Sequence, residues 1–137
     1  MEKLMSFFKF PLAATLFLAL VAPTFVQAQT TALSEKEKIE ALINLVSQLK
    51  TAKFVRNGWT YSADTAATFL RLKWQANDAI VKTARDFIDR IGSVSGTSGR
   101  PYLVRLKDGT ELNSREFLLG ELRKLEISPI TQSSTGG

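Results

Sequence analysis

The sequence predicts a small α+β domain, in the order helix, β-hairpin, two helices, β-hairpin and helix, after a cleaved signal peptide. Three observations predict this class. Apolar residues recur at helical three- and four-residue steps in separate segments, two short strand-forming segments are each divided by a tight-turn dipeptide, and no segment is repeated. Without its signal, the 137-residue chain has the length of one small domain.

The first 28 residues have the pattern of a secretory signal peptide. Lys3 and Lys9 lie in a charged start, an apolar run follows over 10–22, and the segment VQA at 26–28 has the residues that signal peptidase requires before its cleavage site. The apolar run is shorter than the about 20 residues of a membrane-spanning helix. We therefore expect cleavage after Ala28, a periplasmic or secreted location, and a mature chain that does not span the membrane. An uncleaved N-terminal helix is the alternative.

The composition excludes several kinds of functional site. The chain has no Cys and no His, which excludes disulfides, thiol nucleophiles, histidine-based triads and the usual zinc sites. We therefore predict no metal, no cofactor and no catalytic residue. The formal net charge of +5 favours anionic partners. For an exported protein these are anionic glycans, lipid head groups or envelope proteins, and not nucleic acid.

The first helix and the first hairpin follow a short N-terminal linker, residues 29–34. An S-x-x-E capping box begins at Ser34, ahead of apolar residues at helical spacing, and predicts an amphipathic helix over 35–51. The segment KFVRNGWTYS then places Asn57 and Gly58, which tolerate positive φ, between two strand-like pairs. It predicts a β-hairpin, with a one-turn loop as the alternative.

Two helices are predicted next. Ser62 can cap the first of them, whose apolar stripe is mostly alanine, and residues 77–78 either break or bend it. The second apolar stripe runs over 80–91, with charges of both signs on the opposite face. Phe69 and Leu72 point away from the alanine stripe, so either another element covers them or they form an exposed patch.

A second hairpin and a final helix complete the domain. The segment PYLVRLKDGTELNS has an Asp-Gly turn at 108–109, and a leucine-rich helix begins at Asn113 or Ser114. A proline beyond this helix ends it. We therefore predict a domain over 35–127 and a disordered tail over 128–137.

The stretch GSVSGTSGRPY, residues 92–102, is called the Ser-rich loop below. It lacks the Lys-Ser/Thr pair that a phosphate-binding P-loop places at a helix start, and a strand follows it. SQLK at 47–50 matches the S-x-x-K of penicillin-recognising enzymes, but their partner motifs are absent. Asp86 and Asp89 lie among arginines on a solvated helix face, where surface ion pairs are the expected role. None of these patterns predicts an active site.

Polar residues in and near the Ser-rich loop are the candidates for binding. Their hydroxyls, free N–H groups and guanidinium groups would form a concave site for a carboxylate or a phosphate. The alternative is that Arg71 caps helix carbonyls, Lys73 extends its ammonium to water, and the loop is a solvated connection. The candidate binding residues are Arg56, Arg71, Lys73, Ser93, Ser95, Thr97, Ser98, Arg100 and Tyr102. The residues expected to shape the turns are Asn57, Gly58, Pro101, Asp108 and Gly109.

Two segments, FVRNGWTYSADTAATFLRLKW and TARDFIDRIGSVSGTSGRPYLVR, together with the final leucine-rich helix, resemble the YfeK-like family of small exported bacterial proteins. The resemblance extends over residues 35–126, and its more specific parts are R-N-G-x-x-Y and the loop that ends in G-x-P-Y. The family often has His before Leu-Arg in the following helix, where this chain has Phe69. The resemblance implies export and the extent of the domain, and it implies no activity.

The predicted function is that of an exported, non-catalytic module that binds an anionic envelope ligand or partner. The second hypothesis is an interaction or inhibitor protein that uses the Ser-rich loop. SGRPY at 98–102 matches the S-G-x-x-Y element of periplasmic lysozyme inhibitors, although those inhibitors are all-β barrels. A hydrolase is the third hypothesis.

Overall fold

The computed structural model describes residues 21–23 and 31–127, which include the whole predicted domain. The predicted cleavage site after Ala28 and the predicted tail over 128–137 lie outside the described residues. Within the described ranges, no helix is long and apolar enough to cross a membrane.

The structure confirms the predicted α+β class and the order of its elements. The third helix is short and continues directly into one turn of π-helix. In the described part of the chain the elements are α1 (Glu35–Gln48), β1 (Lys53–Arg56), β2 (Trp59–Tyr61), α2 (Ala63–Ala76), α3 (Ala84–Phe87) with its π-turn (Ile88–Gly92), β3 (Leu103–Arg105), β4 (Glu111–Asn113) and α4 (Ser114–Ile127).

Polar caps begin the first three helices. The predicted capping box of α1 is present, since the Ser34 hydroxyl accepts from the backbone N–H of Glu37 at 3.3 Å and the Glu37 carboxylate accepts in return at 2.8 Å. Ser62 caps α2 as predicted. A second capping box, Thr83 with Asp86, starts α3. This box explains why α3 begins only at residue 84.

The two predicted hairpins are confirmed. Asn57 (φ 52°) and Gly58 (φ 81°) both have the positive φ of a type I′ turn between β1 and β2. Gly109 (φ 88°) lies in the turn between β3 and β4. At the end of the second hairpin, the Asn113 side chain accepts from the backbone N–H of Arg115 at 3.0 Å and caps α4.

The two hairpins form one four-stranded antiparallel sheet in the order β2-β1-β3-β4. The first strands of the two hairpins pair with each other, so that Phe54 on β1 lies opposite Tyr61 on β2 and opposite Val104 on β3. This central pairing was not predicted. It sets the alternation of side chains across the sheet and points Phe54 and Val104 toward the helices, where Val104 is fully buried.

The core lies between the helices and extends to one face of the sheet. The alanine stripe of α2 packs on α1, since small side chains allow the two helices to lie close together. The π-turn and α4 close the core from the opposite side. Its most buried large side chains are Ile39, Leu42, Ile43, Val46, Phe87, Ile88, Ile91, Val104 and Leu118.

Two details differ from the sequence-based predictions, and a third decides between two alternatives that the sequence left open. Ile80 was assigned to the apolar stripe of the third helix, and this is wrong, because it precedes the Thr83 cap and is 52% exposed. The first helix ends at Gln48, three residues before its predicted end at residue 51. Of the two residues outside the alanine stripe, Phe69 is covered by another element, whereas Leu72 is 61% exposed.

Candidate ligand-binding site

The main chain of the Ser-rich loop folds back on itself. The backbone N–H of Ser95 donates to the Arg100 carbonyl at 2.9 Å, and that of Tyr102 donates to the Ser93 carbonyl at 2.9 Å. Gly99, which has a φ of 69°, donates to the Ser95 carbonyl at 2.8 Å. The loop is therefore a short, hydrogen-bonded extension at the end of the sheet, in which Pro101 pairs with Val94 as an isolated bridge.

The hydroxyl groups of this loop bond to one another and to the first hairpin. The Asn57 amide donates to the Ser95 hydroxyl at 3.2 Å and accepts from the Ser98 hydroxyl at 2.5 Å. Ser95, which is 1% exposed, also bonds to the Thr97 hydroxyl at 3.0 Å. Ser93 donates to a carbonyl of the π-turn. All four hydroxyls have partners within the protein, and those of Ser95 and Ser98 hold the loop against the first hairpin.

Lys73 ties the same loop to α2. Its ammonium group donates to the carbonyls of Ile91 at 3.1 Å and Val94 at 3.0 Å, and to the Tyr102 hydroxyl at 3.2 Å. An ammonium group has three donors, and all three have acceptors here. Lys73 therefore joins α2, the π-turn and the start of β3, and its charge is already solvated by protein oxygens.

Two of the three arginines of the predicted site, Arg71 and Arg100, lie on different parts of the domain. Arg71 faces α1, where its guanidinium group forms an ion pair with Glu40 at 2.5 Å. Arg100 is exposed at the end of the Ser-rich loop, where its backbone N–H donates to the Ser98 hydroxyl at 3.2 Å. The structure therefore does not place Arg71 within the cluster around the loop.

Arg56, the last residue of β1, has a different environment. Its guanidinium carbon lies 4.8 Å from the centre of the Phe69 ring. Phe69 meets Tyr102 edge to face at 6.2 Å, and the Lys73 ammonium lies 5.1 Å from the Tyr102 ring centre. Two cations thus lie close to this pair of aromatic rings, Arg56 beside Phe69 and Lys73 beside both rings, an arrangement that the negative ring faces favour. In this cluster of Arg56, Phe69, Tyr102 and Lys73, the other three side chains cover Phe69.

A cavity of about 100 Å³, called the Arg56 cavity below, lies between this cluster, the sheet and the start of α4. Its wall is almost entirely apolar, and its few polar groups are the Arg56 guanidinium and four hydroxyls. The side chains come from α1, β1, β2, α2, β3 and α4 and from the residues that flank them: Val46, Phe54, Val55, Arg56, Tyr61, Thr65, Ala66, Phe69, Leu70, Tyr102, Val104, Ser114, Phe117 and Leu118.

Arg56 lines this cavity, and its Nε atom is buried. No acceptor within the described residues lies at hydrogen-bonding distance from it. A buried donor without an acceptor destabilises a protein by about 1–3 kcal/mol, which is why native structures rarely contain one. The combination of an apolar cavity and an unsatisfied guanidinium donor marks this region as the candidate binding site.

The family model that matches the chain covers residues 33–126 and describes a family of unknown function, DUF5329. The chain belongs to this family. It is also 38% identical, over 68 residues, to the uncharacterized protein YfeK of Salmonella typhimurium, a match that covers 50% of this chain and 57% of that protein. The YfeK-like resemblance predicted from the sequence is thereby confirmed. No solved structure matches the chain.

For this DUF5329 domain, sequence reasoning identified Arg56 and Tyr102 but missed the cavity between them. The cavity depends on Phe54, Ala66 and Phe117, which lie on three different elements. The sequence contained one signal of this region: Phe69 lies outside the apolar stripe of α2, so another element had to cover it. No local pattern shows that the side chains around Phe69 leave a cavity.

The ionisable groups with shifted pKa values lie elsewhere and have structural roles. Hydrogen bonds from the backbone N–H of Lys82 and from Thr83 hold the pKa of Asp86 below its ordinary value. The capping bonds of Ser34 lower the pKa of Glu37 in the same way. Among residues 31–127, no cluster of carboxylates has the arrangement of a metal site.

Proposed function

We propose that this protein is an exported, non-catalytic binding module for an anionic component of the bacterial envelope. The cavity beneath the sheet would take an apolar group of the ligand, and Arg56 would bind its carboxylate or phosphate. The observation that carries the proposal is an apolar cavity lined by Arg56, whose buried Nε has no acceptor among the described residues. Export rests on the signal peptide predicted over residues 1–28.

Both features leave groups available to a ligand. The cavity is partly open to solvent, since the exposed Thr65 lines it, so its apolar wall is in contact with water. A ligand that covers this wall would gain about 25 cal/mol for each Å² of apolar surface removed from water. A hydrogen bond from Arg56 to an anionic group of the ligand would contribute about 1.5–3 kcal/mol. Both gains favour a binding role.

The dimensions and the charge narrow the class of ligand. An apolar cavity of roughly 150 Å³ holds a benzene molecule, so about 100 Å³ suits a short alkyl chain or a small branched group. The guanidinium group presents planar, paired donors that match a carboxylate or a phosphate. The chain's net charge of +5 falls to +4 when Glu2, Lys3 and Lys9 are removed with the signal peptide, and this positive charge favours the approach of an anion. Lipid head groups and acylated or acidic glycans share this chemistry.

The wall of the cavity supports binding rather than catalysis. Its ionisable groups are Arg56 and the phenols of Tyr61 and Tyr102, and it contains no carboxylate, imidazole or thiol. General acid–base catalysis near neutral pH usually depends on one of those three groups. The hydroxyl of Ser114 donates to the Gly92 carbonyl at 2.8 Å and is already engaged.

Calorimetric titration with hexanoate and with hexanol tests the proposal. Hexanoate combines a short alkyl chain with a carboxylate, and hexanol is its neutral counterpart. We expect hexanoate to bind more tightly, because only its carboxylate can accept from the guanidinium group as an anion. Arg56→Met keeps a chain of similar length beside Phe69 and removes the charge, so it should reduce the affinity for hexanoate to that for hexanol.

Arg123→Ala is the matched control, since Arg123 is exposed on α4 and its loss should leave hexanoate binding unchanged. The proposal is wrong if neither compound binds. It is also wrong if hexanoate binds equally well to the wild-type protein and to Arg56→Met.

A further inference from the structure

A second concavity lies between the first half of α1, the end of α2 and the segment that leads to α3. We call it the Trp74 groove. Its volume is about 410 Å³, within the range of roughly 300–1,000 Å³ for clefts that bind small molecules. It shares no residue with the cavity described above. Its wall is formed by Lys36, Ile39, Glu40, Trp74, Gln75, Asp78, Val81 and Lys82.

The floor of the Trp74 groove is apolar and rigid. Trp74 is only partly buried, and its indole meets the buried Phe87 ring edge to face at 6.2 Å. Ile39 and Val81 are almost fully buried beside it. Since these neighbours belong to the main core, the indole is held in place from below.

The rim of the groove is polar, and its side chains are free. Lys36, Gln75, Asp78 and Lys82 are all exposed, and none of their side chains has a hydrogen bond or an ion pair with any described residue. Glu40 is different, because its carboxylate is paired with a guanidinium group of α2. Two ammonium groups, one free carboxylate and one free amide therefore surround the indole.

We propose that the Trp74 groove binds a saccharide that carries a carboxylate. A pyranose ring has a face of C–H groups with partial positive charge, which stacks on the negative face of an indole. Its hydroxyl groups, at the edge of the ring, need both acceptors and donors. The Asp78 carboxylate accepts, and the Gln75 amide does both.

The charge of the rim favours an acidic sugar over a neutral one. Lys36 and Lys82 together carry two positive charges, and Asp78 is the one rim carboxylate that is not neutralised by a described partner. A carboxylate on the sugar would balance the remaining positive charge and accept a charged hydrogen bond from a lysine. This inference does not depend on the Arg56 cavity, because the two sites have no side chain in common.

Tryptophan fluorescence can report binding at this groove alone. The chain has two tryptophans, and Trp59 is exposed on β2, so Trp59→Phe leaves Trp74 as the single tryptophan at little structural risk. In this background we would titrate digalacturonate and, as its neutral counterpart, digalactose. The expected result is a saturable change in fluorescence with digalacturonate and an affinity about ten-fold lower for digalactose, as for the loss of one charged hydrogen bond.

Surface variants separate binding from folding. Trp74→Ala would disturb the contact with Phe87, so the rim is changed instead. Lys36→Ala and Lys82→Ala together should weaken digalacturonate binding, and Asp78→Ala should weaken digalactose binding because it removes an acceptor for the sugar hydroxyls. Lys107→Ala, an exposed lysine in the turn of the second hairpin, should bind as the parent does.

Three results would overturn this inference. The first is the absence of a saturable response to digalacturonate at millimolar concentration. The second is equal affinity for the acidic and the neutral disaccharide. The third is unchanged binding in the double lysine variant. Hexanoate should leave the Trp74 fluorescence unchanged, so failure at one site can be distinguished from failure at the other.

Discussion

Filling the Arg56 cavity from α2 should stabilise the domain and prevent ligand binding. Ala66 lies on the cavity wall and is 9% exposed. In Ala66→Leu, an isobutyl group replaces a methyl group and extends into the void rather than into packed neighbours. The opposite signs expected for stability and for binding make this a stringent test of the cavity.

The magnitude follows from the apolar surface that is added. Leucine has three more carbon atoms than alanine, and burying one CH₂ group is worth about 0.8 kcal/mol. Because the cavity is partly open to solvent, we expect about half of this gain, so the free energy of unfolding should rise by about 1 kcal/mol. For a domain of under 100 residues, that change raises Tm by about 4–8 °C. Thermal and urea unfolding followed by circular dichroism would measure both quantities.

The neighbouring residue provides the control. Ala67 is buried in the packed stripe of α2 but does not line the cavity. Ala67→Leu should therefore overpack the core and lower the free energy of unfolding by about 1–3 kcal/mol. If both variants lose stability to the same extent, there is no void beside Ala66.

Hexanoate binding to Ala66→Leu is the second half of the test. In Ala66→Leu the added side chain occupies the space proposed for the alkyl group, so the calorimetric signal with hexanoate should disappear. A variant that gains stability and still binds hexanoate with wild-type affinity would show that the void exists and that the ligand binds elsewhere.

The structure or the sequence specifies the outcomes of four other experiments. Gly58→Val should destabilise by about 1 kcal/mol or more, because a β-branched residue resists a φ of 81°; an unchanged urea midpoint would contradict this. Gly120→Ala, inside α4 with open space around the added methyl group, should stabilise by about 0.5–1 kcal/mol in the same assay. The pKa values of Glu37 and Asp86 are lowered in the folded state, so the unfolded chain binds more protons in acid. The free energy of unfolding should therefore fall as pH drops below about 4. Asp86→Asn removes one of these carboxylates and should make Tm depend less on pH in this range. N-terminal sequencing of the exported protein should begin at Gln29, and a mature chain that keeps residues 10–22 would contradict the predicted location.

The elements themselves were predictable from the sequence, because short-range interactions specify them. The capping box at Ser34 joins residues three apart, and the turn at Asn57 needs only two residues that tolerate positive φ. The alanine stripe of α2 follows from helical periodicity alone. Where a local signal was missed, as at Thr83, the predicted boundary was wrong, and Ile80 was wrongly placed in the helix.

The candidate sites depended on contacts between residues that are distant in the sequence. The composition of the Ser-rich loop is visible in the sequence, yet the partners of its hydroxyls could not be predicted, since Asn57 and Ser98 are 41 positions apart. Nothing in the sequence around Lys73 predicts the partners of its side chain. Only the fold places three acceptors around its ammonium group. The same holds for Arg71, whose partner Glu40 lies on another helix.

Local chemistry thus determined which segments became helices, strands and turns, whereas the pairing of β1 with β3 joined the two hairpins into one sheet. Arg56 on β1 contacts Phe69 on α2, and the cavity between sheet and helices is lined by residues of several elements. A void is a property of the packing of side chains from several elements, and it depends on distances of a few Å between them. No pattern within a single segment contains that information, so only the tertiary structure could reveal the Arg56 cavity.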